Sequence, residues 1–206
     1  MARIVEVLAD REGARKALTA AALALILMAL ATLAYPVYTD FYHNSLQARL
    51  GRELGSRRVR SAYLSGALKP GQSLARIQIP KLAVNVVVVQ GVDDKSLEAG
   101  AGHYPETPLP CQQGDVAIAG HRTTYGKPFA NVDRLVPGDE IILTTPVGSC
   151  VYRVSRAPFV VLPTDWQVVA NTPHQFDLTL TSCHPKGSAS HRIVIKAAMV
   201  SSTSSE

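Results

Sequence analysis

The chain has 206 residues, 47% hydrophobic and 18% charged, a balance that suits one folded domain with appendages and excludes a disordered chain. Its formal charge of +5 is spread over the whole length without the aromatic interleaving of a single-strand platform, so no nucleic-acid partner is expected. The charge is read as general surface charge with some attraction to an anionic membrane.

In chain order, residues 1–16 are polar, with Arg3, Arg11, Arg15 and Lys16 offset in part by Glu6, Asp10 and Glu12. Residues 17–37 then carry no ionisable side chain except Tyr35 and match the roughly 20 residues that cross a hydrocarbon core. The run predicts a transmembrane signal anchor behind a cytoplasmic tail. A cleaved signal peptide is the competing reading, because small residues surround Ala31 and Ala34, but the run exceeds the roughly 7 to 15 apolar residues of a typical signal peptide. Basic residues stand closer to the span on its N-terminal side than Arg49 and Arg52 do beyond it, which favours an internal N-terminus and an extracellular remainder.

Tyr35, Tyr38, Phe41 and Tyr42 suit the aromatic belt at the headgroup level. Over 44–64, Leu46, Leu50, Leu54 and Val59 recur at near-helical spacing among five arginines, which reads as an amphipathic helix on the membrane surface or as a solvated helical stalk. Gly66, Pro70 and Gly71 break that pattern, so residues 38–73 are assigned to a juxtamembrane linker and the folded domain to 74–200. Strands are predicted over 74–79, 84–90, 115–120, 140–145, 150–155, 159–162, 176–182 and 193–200, with short helical turns over 96–99 and 131–135. Many short strands at even spacing predict a closed or nearly closed β-barrel. Residues 201–206 read as a disordered tail.

The chemistry-bearing stretch is DLTLTSCHPKGSASHRIV, residues 177–194. Period-2 alternation puts Leu178 and Leu180 on one face, Thr179, Thr181 and Cys183 on the other. Pro185 ends the strand, and Arg192 opens the next one. His121 follows the apolar strand Val116–Ala117–Ile118, with Gly120 giving the backbone a sharp exit beside the imidazole. Cys, His and Arg at three strand ends make a set for acyl transfer through a thioester: nucleophile, proton donor and oxyanion partner. Each also has a plainer reading, as a buried thiol, a surface histidine and a strand-edge cation. His184 and His191 flank the set, but without Cys-x-x-Cys or His-x-x-x-His spacing no metal site is expected.

DLTLTSCHP followed by Arg192 resembles the TLxTC strand and downstream arginine of the sortases, and AGHRTTYGKPF is similar to the histidine segment of class E sortases of Gram-positive actinobacteria. The resemblance runs over about 74–200, and one position departs from it: Ser182 stands where the family has threonine before the cysteine. It implies a mainly β fold, an eight-stranded sortase-type barrel with short helices behind an N-terminal transmembrane helix, in a single-pass cell-membrane protein. It implies Cys183 as nucleophile, His121 as proton donor and Arg192 at the oxyanion, with Tyr104, Thr181 and Ser182 at the substrate and no cofactor or metal. The implied substrates are LAxTG- or LPxTG-type sorting-signal peptides of secreted proteins. The implied acceptor is an amine such as that of a lipid-linked peptidoglycan precursor, with a pilin lysine as the alternative. An L,D-transpeptidase would want its cysteine and histidine in one motif, and a non-enzymatic anchored β-domain would leave the trio accidental. With the nucleophile set aside, Cys111 and Cys150 remain; outside the membrane they are expected either as a disulfide or as two separately buried thiols.

Overall fold

The helical content is concentrated at the N-terminus, where α1 (Ala2–Leu54) is a single helix containing Pro36. The computed structural model describes the backbone of residues 2–204 and the side chains of residues 12–204; Arg3, Glu6, Asp10, Arg11 and residues 205–206 therefore lie outside the described side chains. The chain divides into two units, Met1–Thr39 and Asp40–Glu206. In the first, α1 is long and apolar enough to cross a membrane, and Leu25, Leu27 and Leu33 are exposed along it. The hydroxyls of Thr19 and Thr32 donate to carbonyls one turn earlier, at Arg15 and Met28, so neither is left as an unpaired donor in an apolar setting.

The second unit is a β-barrel. Its strands are β1 (Ser73–Ile79), β2 (Val84–Gln90), β3 (Ala101–His103), β4 (Gly114–Ala119), β5 (Glu140–Thr145), β6 (Gly148–Val154), β7 (Phe159–Val161), β8 (Phe176–His184) and β9 (His191–Ser204). The sheet order is β6-β5-β1-β2-β3-β4-β8-β9-β7, and β9 also pairs with β6. That extra pairing closes eight strands into a ring and leaves β7 outside it. The expected count is therefore met by a different set. The short β3, whose AGH sequence carries no alternation, joins the ring, while the predicted strand at 159–162 is an added edge on β9. Alternating side chains fill the interior, among them Leu74, Ile77, Val116, Ile118, Leu178, Leu180, Ile193 and Ile195.

The structure corrects the sequence reading in three places. Strand β9 continues through Ser204 because its polar end, Ser201–Ser204, completes the ladder with β6, Gly148 opposite Ser204; those four residues are strand and not tail. Residues 38–73 are not a linker, since the second unit begins at Asp40. Leu46, Leu50, Leu54 and Val59 do not form the exposed apolar face that either helical reading expected. Leu50, Leu54 and Val59 are buried, and Leu46 and Leu50 pack on Val87 and Val89, which face outward from β2. Helix α1 thus covers the outer face of β2, whose run VNVVVV is apolar on both faces for that reason. Gln47 bridges β2 and the short helix that follows it, accepting from Val87 N–H at 2.6 Å and donating to the Ala99 carbonyl at 2.7 Å. Helix α2 (Arg57–Leu64), N-capped by Ser56, adds Tyr63 to the core, its hydroxyl donating to the Pro110 carbonyl.

The two spare cysteines are joined. Cys111 and Cys150 form a disulfide with Cα atoms 5.7 Å apart and a sequence separation of 39, tying the loop before β4 to β6 at the end of the sheet away from His121. On the chain-entropy model a closed loop of this size stabilises by about 4 kcal/mol. It leaves Cys183 as the free cysteine.

A fragment beginning at Asp40 should therefore fold more stably than one beginning at Leu74. The shorter piece loses Leu50, Leu54, Val59 and Tyr63, all buried, each worth about 1.5 to 3 kcal/mol of apolar burial, and uncovers Val87 and Val89. Its melting temperature should fall by about 10 °C or more; equal melting temperatures by circular dichroism would show that α1 contributes nothing to the domain.

Candidate active site

Strands β4 and β8 run parallel, with Gly114 opposite Phe176 and Ala119 opposite Thr181. This offset of 62 residues continues past the end of β4 in side-chain contacts: the Ser182 hydroxyl donates to the Gly120 carbonyl at 2.6 Å, and Arg122 Nη1 donates to His184 Nδ1 at 3.3 Å. His121 and Cys183 occupy the rung between these two contacts, at the same offset. On the other side β9 runs antiparallel to β8, with Arg192 directly opposite Cys183. Three residues far apart in sequence are thereby brought to one end of the sheet.

A groove of about 360 Å³ opens over this edge, and Tyr104, His121, Thr181, Ser182, Cys183 and Arg192 all line it. Its floor is the outward face of β4 and β8, since Leu178 and Leu180 point into the core and leave Thr179, Thr181 and Cys183 on the other side. One wall is Val92, Asp94 and Leu97, at and within α3 (Asp94–Ala99). The other is the loop after β7, with Leu162, Pro163 and Trp166. Every lining residue belongs to the barrel strands or to the segments joining them. Leu162 and Trp166 are exposed apolar side chains on that wall, and the sequence reading did not single them out; the chain's one tryptophan in a polar loop was the available signal.

The individual side chains are held in different ways. Cys183 is half-buried and free. Arg192 Nη1 donates to the carbonyls of Ala189 at 3.1 Å and His191 at 3.0 Å, so its fork is aimed along the loop that leads back from Cys183. The Tyr104 and Thr181 hydroxyls are hydrogen-bonded at 3.0 Å, either able to donate, which ties the loop after β3 to the floor. The Ser182 hydroxyl is committed to the Gly120 carbonyl, so it joins the two strand ends and has no proton left to donate to a ligand. Gly120 has a different role from the one expected. It is not in the left-handed region; a Cβ there would meet the ring of buried Phe129 at 2.6 Å, and Phe129 N–H donates to the His121 carbonyl at 3.1 Å. Close approach of an aromatic ring, not a turn, requires the glycine.

The loop that follows His121 is backed by the second-unit part of α1. Tyr125 stacks near His121 with centroids 5.6 Å apart, and its hydroxyl donates to Glu98 at 3.3 Å. Asp40 accepts from Gly126 N–H at 3.2 Å and lies 3.4 Å from Lys127 Nζ, while His43 fills the space beneath Gly126. Burial lowers the His43 imidazole from its ordinary range, with the Glu98 carbonyl and Asp40 pulling it back. His121 is lowered by burial too, against an opposing pull from Asp94 and Glu98. His103, which the sequence reading left unassigned, is a core residue bonded to Gln90 and the Pro108 carbonyl, both at 2.8 Å. Among the described residues no group of His, Cys, Asp and Glu is arranged to hold a metal ion.

Comparison with known proteins supplies the family. The sortase domain model matches residues 77–200. Sortase SrtE1 of Streptomyces coelicolor is 34% identical over 149 residues, covering 66% of this chain and 42% of its own length. Sortase D of Bacillus subtilis is 30% identical over 128 residues, covering 61% of this chain and 63% of its own. The chain thus spans less than two thirds of either relative. Among solved structures, sortase E from Streptomyces avermitilis superposes with a TM-score of 0.61 at 34% identity over 66% of this chain and 93% of that one. A Clostridium perfringens sortase D5 transpeptidase gives 0.67 at 27% identity, with 78% and 99% covered.

The electrostatics of His121 can be checked directly by following its ring proton resonance through a pH titration. Because burial disfavours the imidazolium, the midpoint should lie below the ordinary histidine value of about 6.5. Asp94→Asn removes a carboxylate that raises it, so the midpoint should move lower still; an upward shift would contradict the assignment of that charge to the His121 environment.

Proposed function

Because this chain belongs to the sortase family of cysteine transpeptidases, we propose that it is a membrane-anchored enzyme that cleaves a C-terminal LAxTG- or LPxTG-type sorting signal between Thr and Gly and transfers the acyl part to an amine of a cell-wall precursor. The observation that carries this reading is the placement of His121, Cys183 and Arg192 on adjacent strand ends of one groove.

In the proposed reaction the Cys183 thiolate attacks the threonine carbonyl carbon, and a C–S bond forms as the carbonyl oxygen takes the electron pair. Arg192, exchanging one of its loop carbonyls for that oxygen, holds the developing charge together with a backbone N–H near Cys183. The C–N bond then breaks, and the leaving glycine amine takes its proton from His121. An incoming amine gives a proton to His121 as it attacks the thioester, and sulfur departs as thiolate. Cys183 and His121 thus share one proton in the reactive form. Burial of His121 favours its neutral state in the free enzyme, so the proton it donates to the leaving amine is one it holds against that bias.

The substrate would lie along the groove floor. Tyr104, whose ring and hydroxyl stand beside Thr181, is suited to contact the residue after the substrate leucine, and Thr181 and Ser182 line the same floor. The groove is built from the barrel's own strands and loops, which supports a wall-precursor acceptor over a pilin lysine. The apolar run of α1 would serve as a single-pass anchor, with the barrel on the outer surface where the Cys111–Cys150 disulfide is at home. A non-enzymatic β-domain would not require the three side chains to converge.

Cys183→Ala should abolish cleavage of a fluorogenic LAxTG-type peptide while preserving the melting temperature, and His121→Ala should slow turnover by about 10²-fold or more. Residual turnover in a folded Cys183→Ala chain would sink the assignment of the nucleophile. A His121→Ala variant near the wild-type rate would assign the proton transfer elsewhere.

A further inference from the structure

Arg122 is the residue that the sequence reading passed over beside His121. Its side chain is only 3% exposed, while its carboxylate partner Asp133 is 44% exposed. Burying a guanidinium against a half-solvated partner is a poor way to gain stability, because the cation's lost hydration is only partly returned. Nε, moreover, has no partner among the described residues. What the burial does achieve is connection. Nη2 donates to Asp133 Oδ1 at 2.6 Å and to the Ala130 carbonyl at 3.2 Å, and Nη1 donates to His184 Nδ1 at 3.3 Å.

Those three partners lie on two segments. Ala130 and Asp133 belong to the loop and turn that follow His121, and His184 is the residue after Cys183. A guanidinium has no acceptor, so His184 Nδ1 must present its lone pair, which fixes that ring's tautomer with the proton on Nε2. Together with the Ser182–Gly120 bond, the Arg122–His184 contact brackets the His121 and Cys183 rung from both sides.

We propose that Arg122 is a positioning residue for the transfer reaction, a clamp that holds the chain leaving His121 against the chain leaving Cys183. The proposal rests on the roles assigned above to those two residues. Reaction geometry is steep in distance: a displacement of about 1 Å can cost on the order of 10²-fold in rate. Planar forked donation is also what lysine cannot supply at this site.

The test uses the full chain in detergent, with kcat and KM for peptide cleavage measured per titratable Cys183 thiol. Arg122→Gln should lower kcat by at least about 10-fold with KM within about threefold, as expected when geometry and not binding is lost, and Arg122→Lys should restore little of it. His184→Ala removes the acceptor without touching the guanidinium. Combined with Arg122→Gln it should cost no more than the worse single change, because both break one link. If Arg122→Gln does not fold, Arg122→Lys and His184→Ala carry the same comparison. Arg122 variants with kcat within twofold of wild type per thiol, or strictly additive losses with His184→Ala, overturn the proposal. An inactive wild type overturns the functional reading and this one together, whereas an active wild type with unaffected Arg122 variants overturns this one alone.

Discussion

The parallel pairing of β4 with β8 is the constraint on which the site depends. Its register is fixed by core packing, since Val116 and Ile118 on β4 and Leu178 and Leu180 on β8 must all face inward. A slip of one residue would turn each of these out of the core and each outward residue in. The same slip would take His121 off the Cys183 rung. Burial of four apolar side chains thus sets the alignment of His121 with Cys183, and that pair itself need contribute nothing to stability.

Closure of the ring supports that alignment from the far side. Strand β9 pairs with β8 along one part of its length and with β6 along another, so the strand carrying Arg192 is held at both edges. Beneath the site, Lys196 on β9 and Thr179 on β8 both donate to buried Asp115 on β4, at 2.8 Å and at 2.7 to 2.8 Å. Burial pushes that carboxyl up while Lys196 and Thr179 pull it back. One polar knot therefore joins the three strands that deliver His121, Cys183 and Arg192. The helical segment beginning at Asp40 is part of the same scaffold, because Asp40 and His43 support the loop around Gly126 behind His121.

Much of this was legible in the sequence where side chains alternate. Leu178 to Cys183 announced both the strand and the face of the thiol, and Val116 to Ile118 announced the strand before His121. The six site residues chosen from motif and resemblance all reach one groove. Strand β3 was illegible because three residues, Ala101–His103, are too few to show a period. The polar end of β9 looked like a tail because both its faces are exposed and only backbone pairing with β6 orders it. The role of residues 40–64 was hidden by their arginines, although the doubly apolar run of β2 was a sign that something covers its outer face. Ser182 and Arg122 belong to a further class: polar residues beside a motif whose bonds run to backbone or to a distant loop, which spacing alone does not reveal.

The central claim is that this register makes Cys183 the acyl carrier. The direct measurement is the intact mass of the full chain acid-quenched during turnover of an LAxTG-type peptide, followed by proteolytic mapping. The account predicts a mass gain equal to the peptide's acyl fragment ending at its threonine, located on Cys183. Turnover with Cys183 unmodified, or an adduct on any other residue, would contradict it.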